Sequence, residues 1–270
     1  MKKYTPSTKY FAALLAMAFV PVFAWSQAYV INTAGTRVDV ENIRVRPGTG
    51  GDLVVTIGGQ SKDITTEQYL RAVGIKPAEI DQAQVLINQG KKEEASKLLE
   101  GVFRTSQYMS WDAFAAEKLA EIQLESGNPL QAKRTMDGLQ ERYGDNLISF
   151  FPFLEKVQWD VKVVSNDSEG LEDELTAIIV NQESKADRIS SALIVRGDLK
   201  ASRKDYKAAV LDYLRANYFF GKNPEIQAEA LYKTASMFAK IGDTGRLKKY
   251  STLLKETYPD SEYNSREIGG

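Results

Sequence analysis

The feature that most limits what this chain can fold into is a recurring pair of apolar helices joined near a glycine. In residues 119–132 an apolar helical run ends at Gly127, a short turn follows, and a second helix begins with Ala132 facing back. Ala83, Leu86, Gly90 and Ala95 repeat the plan upstream. Downstream it recurs in residues 197–209, with Tyr213 and Ala216 beyond, and again from Ala235 through Gly242 to a closing Pro259. The units begin near Lys76, Ala113, Ser190 and Ala228, so the middle interval is twice its neighbours and a degenerate unit is expected near Pro152. There Leu154, Val157, Trp159 and Val161 load one helix, and Leu171, Leu175, Ile178 and Ile179 load its partner. Such self-similarity implies a chain built from stacked supersecondary units.

This pattern resembles the tetratricopeptide repeat. In that family small residues sit where the two helices of a unit cross. They match Ala83, Ala120, Gly197 and Ala235 on the first helices and Ala95, Ala132 and Ala209 on the second, with Leu247 departing in the last unit. A turn glycine matches Gly90, Gly127 and Gly242, while Lys204 replaces it in the fourth unit. The physical reason is that antiparallel helices approach closely only through small residues, and that the turn favours a residue tolerant of positive φ. The spacing here exceeds the usual ~34 residues, so longer turns between units are expected. The resemblance implies a mainly α fold: a solenoid of about five helix-turn-helix units over residues 65–263, with 264–270 as a C-terminal tail.

The same resemblance implies a concave groove lined by the first helix of each unit, where such proteins bind partners. Carried over residue by residue, the groove positions are Gln84 and Asn88; Phe114, Glu117, Glu121 and Glu125; Asp198 and Ser202; and Tyr232, Ser236 and Lys240, with Ile80, Ile87, Leu124, Ser191, Ile194 and Glu229 beside them. Glu117, Glu121 and Glu125 stack on one helix face, where like charges each cost about 0.2–0.5 kcal/mol. The row suggests a surface that receives Lys or Arg from a partner, so Glu→Gln at all three is expected to weaken binding without unfolding the chain. The plainer reading is a solvated helix face relieved by Lys118.

Residues 29–64 have a different period. Thr36 to Val40, Asn42 to Arg46 and Asp52 to Ile57 alternate, with turn signals at residues 47–51 and at Gly58-Gly59. They predict a small antiparallel β-meander packed on the helices that follow. Thr65 or Thr66 is expected to cap a short helix running to Val73. Before the strands, Lys2, Lys3 and Lys9 precede an apolar run from Tyr10 to Trp25 and small residues suited to cleavage. Residues 1–28 therefore read as a signal peptide cut after Ala28, with Ala24 as the alternative, and the chain as secreted or periplasmic.

Composition narrows the chemistry. The chain has no cysteine and no histidine, which excludes a Cys nucleophile, a Ser-His-Asp triad, a His-based metal site, disulfides and a lipid-bearing cysteine. Removing residues 1–28 takes away three of the 35 basic residues and none of the 36 acidic ones, leaving a net charge of −4. That is no footprint for nucleic acid. Residues 165–174 are acidic but lack the carboxylate a calcium loop needs at Thr176, and Asn166 with Glu169 reads better as a helix start. Phe150, Phe151, Phe153 and Trp159, and Tyr213, Tyr218, Phe219 and Phe220, read as interhelical core. No cofactor is implied.

The C-terminal unit, ending Tyr258-Pro259-Asp260-Ser261, also resembles units of periplasmic repeat proteins that scaffold envelope assembly. The expectation is an exported, non-catalytic adaptor that holds protein or peptide partners of the cell envelope, with no transmembrane anchor left after cleavage. Two alternatives stand beside it. One is a carbohydrate-binding or glycan-processing protein that uses Glu117 and Glu121, against which their exposure on a repeat surface argues. The other is a structural protein that self-assembles through open strand edges of the meander.

Overall fold

Alternating burial puts the N-terminal segment into strands. The computed structural model describes residues 28–220 and 223–268, leaving nearly all of the expected signal peptide outside the described residues. Six strands form: β1 (Ala28–Asn32), β2 (Arg37–Val40), β3 (Asn42–Val45), β4 (Leu53–Ile57), β5 (Gln60–Ile64) and β6 (Tyr69–Val73). They make two antiparallel three-stranded sheets, ordered β2-β1-β6 and β3-β4-β5. The two-residue loop Gly58-Gly59, both at positive φ, joins Ile57 to its partner Gln60, as a tight hairpin requires. Val30, Val40, Ile43, Leu53, Val55 and Ala72 meet between the sheets.

The expected helix from Thr65 to Val73 is not there. Thr66–Gln68 make one 3-10 turn, with the Thr65 backbone N–H donating to Gln68 Oε1 at 3.0 Å. The start signal is genuine, but Tyr69 to Val73 then lie antiparallel to β1, Ala72 opposite Val30. Burying Ala72 in the core between the sheets outweighs a local helix preference. The β unit therefore runs from 28 to 73, and it is not a simple meander, because its last strand returns beside its first.

Helices fill the remainder: α1 (Ala78–Asn88), α2 (Lys92–Thr105), α3 (Trp111–Glu125), α4 (Pro129–Tyr143), the short α5 (Leu147–Phe150), α6 (Leu154–Val164), α7 (Leu171–Val180), α8 (Ala186–Ser202), α9 (Tyr206–Arg215), α10 (Pro224–Ile241) and α11 (Thr244–Thr257). Neighbours in sequence pack together, and α6 touches both α3 and α4, α8 both α6 and α7, and α10 both α8 and α9. Ala83, Ala95, Ala120, Ala132, Ala209 and Ala235 are all fully buried. At Gly197 a Cβ would stand 2.4 Å from the Tyr213 ring, so the crossing of α8 and α9 admits no side chain there. Trp159 fills the unit that lacks small crossing residues, and its Nε1–H donates to Glu174 at 2.8 Å. Asn166 does not cap α7. It takes a left-handed φ of 54° just beyond α6, and Gly170 directly precedes α7.

Buried charges fasten the helices. Asp112, 0% exposed, accepts from Tyr143 Oη at 2.7 Å, Arg142 Nη1 at 3.2 Å and the Tyr108 amide at 3.2 Å. Arg196 grips Asp212 with two bonds of 2.9 and 2.7 Å, Lys200 adds a third at 2.7 Å, and Arg196 also reaches Thr176 at 3.0 Å. The β unit is joined to α3 through Ser110 Oγ–H to the Ala72 carbonyl (2.6 Å) and Trp111 Nε1–H to the Gly74 carbonyl (2.8 Å). Among the described residues no helix is long and apolar enough to cross a membrane.

Candidate functional site

The first helices of successive units present one charged face. Each carries polar side chains at helical spacing between small or apolar residues that are buried in the stack, so the polar rows from α3, α6, α8 and α10 converge. On α6 and α10, Lys156 bridges Asp160 (2.9 Å) and Glu229 (3.1 Å), while Lys233 reaches Asp198 (2.8 Å) and Glu229 (3.6 Å). Tyr213, from α9, donates its hydroxyl to Asp198 at 2.7 Å. Three carboxylates thus share two ammonium groups.

Burial decides the protonation of this cluster. Asp160 is pushed up to about 6 because desolvation and the nearby Glu229 and Asp198 outweigh Lys156. Burial works against the charged form of Glu229 as well, but Lys156 and Lys233 overcome it and hold its carboxyl below the ordinary value. Lys156 is likewise held charged: burial disfavours its ammonium, and Asp160 and Glu229 more than compensate. Oppositely charged neighbours, not solvent, keep these groups ionised.

The Glu row lies on α3 beside this cluster, and its three members differ. The Glu117 side chain is only 17% exposed, and burial pushes its carboxyl up to about 7, with Lys118 opposing and Glu121 and Glu225 adding to the rise. Glu121 pairs with Lys118 at 3.0 Å. Glu125 meets Lys92 at 2.7 Å and also Arg266, which comes from the far C-terminus. The row is therefore neither a bare solvated face nor wholly open to a partner. At the other end of α3, Phe114 is 41% exposed and stacks on Phe153 (ring centroids 4.6 Å apart) and against Trp111 (5.3 Å).

The chain's own C-terminal segment lies against this face. Residues 258–268 leave α11, make a 3-10 turn over Glu262–Asn264 and contact α10. Tyr263 sits 5.5 Å from Tyr232, and burial together with Glu229 raises its hydroxyl pKa. The Tyr232 hydroxyl donates to the Glu267 carbonyl at 3.1 Å. The Arg266 guanidinium lies 4.4 Å over the Tyr263 ring and also pairs with Glu262 at 3.1 Å.

Of the expected groove residues, the structure brings together Glu117, Glu121, Glu125, Asp198 and Tyr232. Phe114 forms an aromatic end to the same face. Gln84 and Asn88 are exposed on α1 and bond each other at 3.0 Å. Ser202 and Ser236 turn their hydroxyls to carbonyls of their own helices, at Leu199 (2.7 Å) and Tyr232 (3.0 Å). Lys240 is exposed near the end of α10. Lys156, Asp160, Lys233, Tyr263 and Arg266 were not foreseen, and Tyr213 was foreseen only as core. Carrying the register of the other units onto the one that begins near Pro152 would have found Lys156 and Asp160. No local signal marked Arg266, whose partner Glu125 is 141 residues away. Of the aromatic groups, Phe151, Trp159 and Tyr213 are core, Phe153 is half-buried and Tyr218 is exposed; the Phe219 and Phe220 side chains lie outside the described residues. Comparison of the chain with family models, with curated proteins and with solved structures returns no match.

Proposed function

We propose that this chain is an exported, non-catalytic scaffold with a tetratricopeptide-like solenoid, whose charged inner face binds an extended segment of an envelope protein. The observation that carries the reading is the C-terminal segment on that face: Arg266 seated on Glu125, and the Glu267 carbonyl held by Tyr232. A surface that accepts one peptide segment by charge and a backbone bond has the chemistry to accept another. The stacking of α6, α8 and α10 on both helices of the preceding pair supports the solenoid. The aromatic end at Trp111, Phe114 and Phe153 supplies an apolar anchor beside the Glu row, in the pattern of interface hot spots. The test is capture from an envelope extract by the full exported chain, with Phe114→Ala plus Glu121→Gln as control. A discrete protein partner retained by the parent and lost by the control is expected. Equal retention by both overturns the reading.

Export is part of the same proposal, with its junction moved. Ala28 is the first residue of β1, 1% exposed and paired with Val40, so cleavage after Ala24 keeps the strand whole. The intact mass of the exported protein is expected to begin at Trp25, and a start at Tyr29 would rule this out.

One observation favours the glycan reading. Exposure had argued against a raised carboxyl on the Glu row, yet Glu117 is largely buried and stands at about 7, where a general acid works. If that reading holds, Glu117→Gln abolishes release of sugar from envelope glycan. Absence of release by the parent chain overturns the glycan reading.

A further inference from the structure

We propose that residues 258–268 are a latch: a self-ligand that occupies the Glu125 end of the inner face and must leave before a partner segment of the same chemistry, an aromatic side chain followed three residues later by arginine, can bind there. The inference rests on the groove reading above and deepens it by naming the partner's chemistry and its control. Tyr263 and Arg266 supply that chemistry within the chain, Tyr263 against Tyr232 and Arg266 on Glu125. The two are fitted to each other as well, with the guanidinium 4.4 Å from the Tyr263 ring centroid. A cation and an aromatic ring three residues apart thus dock as one unit.

Three observations set the segment apart from a permanent part of the helical stack. It is held by ion pairs, ring contacts and single hydrogen bonds, and the side chains it packs on the apolar core, Tyr258, Tyr263 and Ile268, are only partly buried. A cleft of about 290 Å³ opens between Leu247, Ser251 and Lys255 of α11 and Asn264, Arg266 and Ile268 of the segment. Its anchoring pair is partly open to water, with Arg266 and Glu125 side chains both 29% exposed, so solvent screens the pair and lowers the cost of parting it. The acceptor side does not depend on the segment alone. Glu125 keeps a second cation in Lys92, so departure of Arg266 does not strand a buried charge. Leu247, which stands where other units place a small alanine, lines the cleft and faces the segment from below.

The test uses the full exported chain and a labelled synthetic peptide that copies residues 258–268. Tyr263→Ala with Arg266→Glu unseats the segment and leaves the inner face intact. That variant is expected to bind the peptide about tenfold more tightly than the parent, whose competent fraction is reduced by the latch. A peptide carrying Arg266→Glu is expected to bind neither, and Glu125→Gln in the unlatched chain is expected to remove binding. Because the sequence contains no cysteine, Lys255→Cys with Ile268→Cys, which line the same cleft and leave Glu125 and Arg266 in place, can be bridged by a reducible bis-maleimide without side products. The bridged chain should refuse the peptide, and reduction of the bridge should restore binding. This second arm does not depend on the stability of the unlatched variant. Equal affinity of parent and unlatched chain, or binding by the bridged chain, overturns the latch. An unlatched chain that refuses the peptide while the parent still captures its partner through Phe114 and Glu121 overturns the latch alone. Loss of both overturns the groove.

Discussion

Glu117 shows how a single side chain on α3 can set the pH response of the protein. Its folded pKa of about 7 stands above its ordinary 4.5, chiefly because burial disfavours the charge. The folded chain therefore binds this proton more tightly than the unfolded one. Its contribution to stability is full below about 4.5 and is lost as pH rises toward about 7. Glu117→Gln cannot titrate, so it is expected to match the parent near pH 5 and to exceed it by about 1–3 kcal/mol at pH 8. Urea unfolding at the two pH values measures this, and a difference independent of pH would contradict it. The sequence showed the Glu row by its spacing. It could not show that the three differ, because what separates them is Glu225 beside Glu117 and Arg266 on Glu125, both far away in sequence. Asp160 was hidden for another reason: it sits in the unit whose crossing residues are large, where no register had been assigned.

At the scale of elements, the turns within the helix pairs share one backbone need and meet it differently. Gly127 and Gly242 take positive φ at 74° and 83°, while Lys204 adopts 65° with a side chain in place. A left-handed non-glycine residue costs about 1–2 kcal/mol, partly offset because glycine is freer when unfolded. Lys204→Gly is therefore expected to raise stability by about 0.5–1 kcal/mol, and Gly127→Ala to lower it by a similar amount or more. Thermal melts of the two variants check the opposite signs. Helix boundaries were largely legible in the sequence because apolar periodicity and turn residues agree. The stretch from Thr65 to Val73 was not. Its capping signal is local and correct, whereas the strand that follows is specified by β1, which lies about 40 residues earlier. Pairing of that kind leaves little trace in a local window, beyond the alternation of Tyr69 to Val73 itself.

For the whole molecule, the β unit and the helical stack meet through few but specific bonds at Ser110, Trp111 and Arg71, the last donating to the Phe150 carbonyl at 3.0 Å. Ser110→Ala with Trp111→Phe leaves the Ala72 and Gly74 carbonyls without these donors, a loss of about 1–3 kcal/mol for each buried group. The expected outcome is faster amide exchange in β6 with little change in α8 to α11. Uniform acceleration across the chain would show that the two parts do not separate. The β unit also bears on self-assembly. Its sheets end in the edge strands β2, β6, β3 and β5, and removing residues 29–64 would strip β6 of its pairing with β1, so a deletion that tests assembly must extend to Val73.

The bond between Arg266 and Glu125 has one more consequence, for the order in which the chain is completed. Helix pairs that touch only their neighbours can form one after another as they emerge, since their contacts are local. The contact between the C-terminal segment and α3 is the exception, because it spans 141 residues. On the latch proposal, folding of the helix pairs and seating of residues 258–268 are separate events. A molecule in which that segment has not yet seated accepts a partner segment more readily than one in which it has.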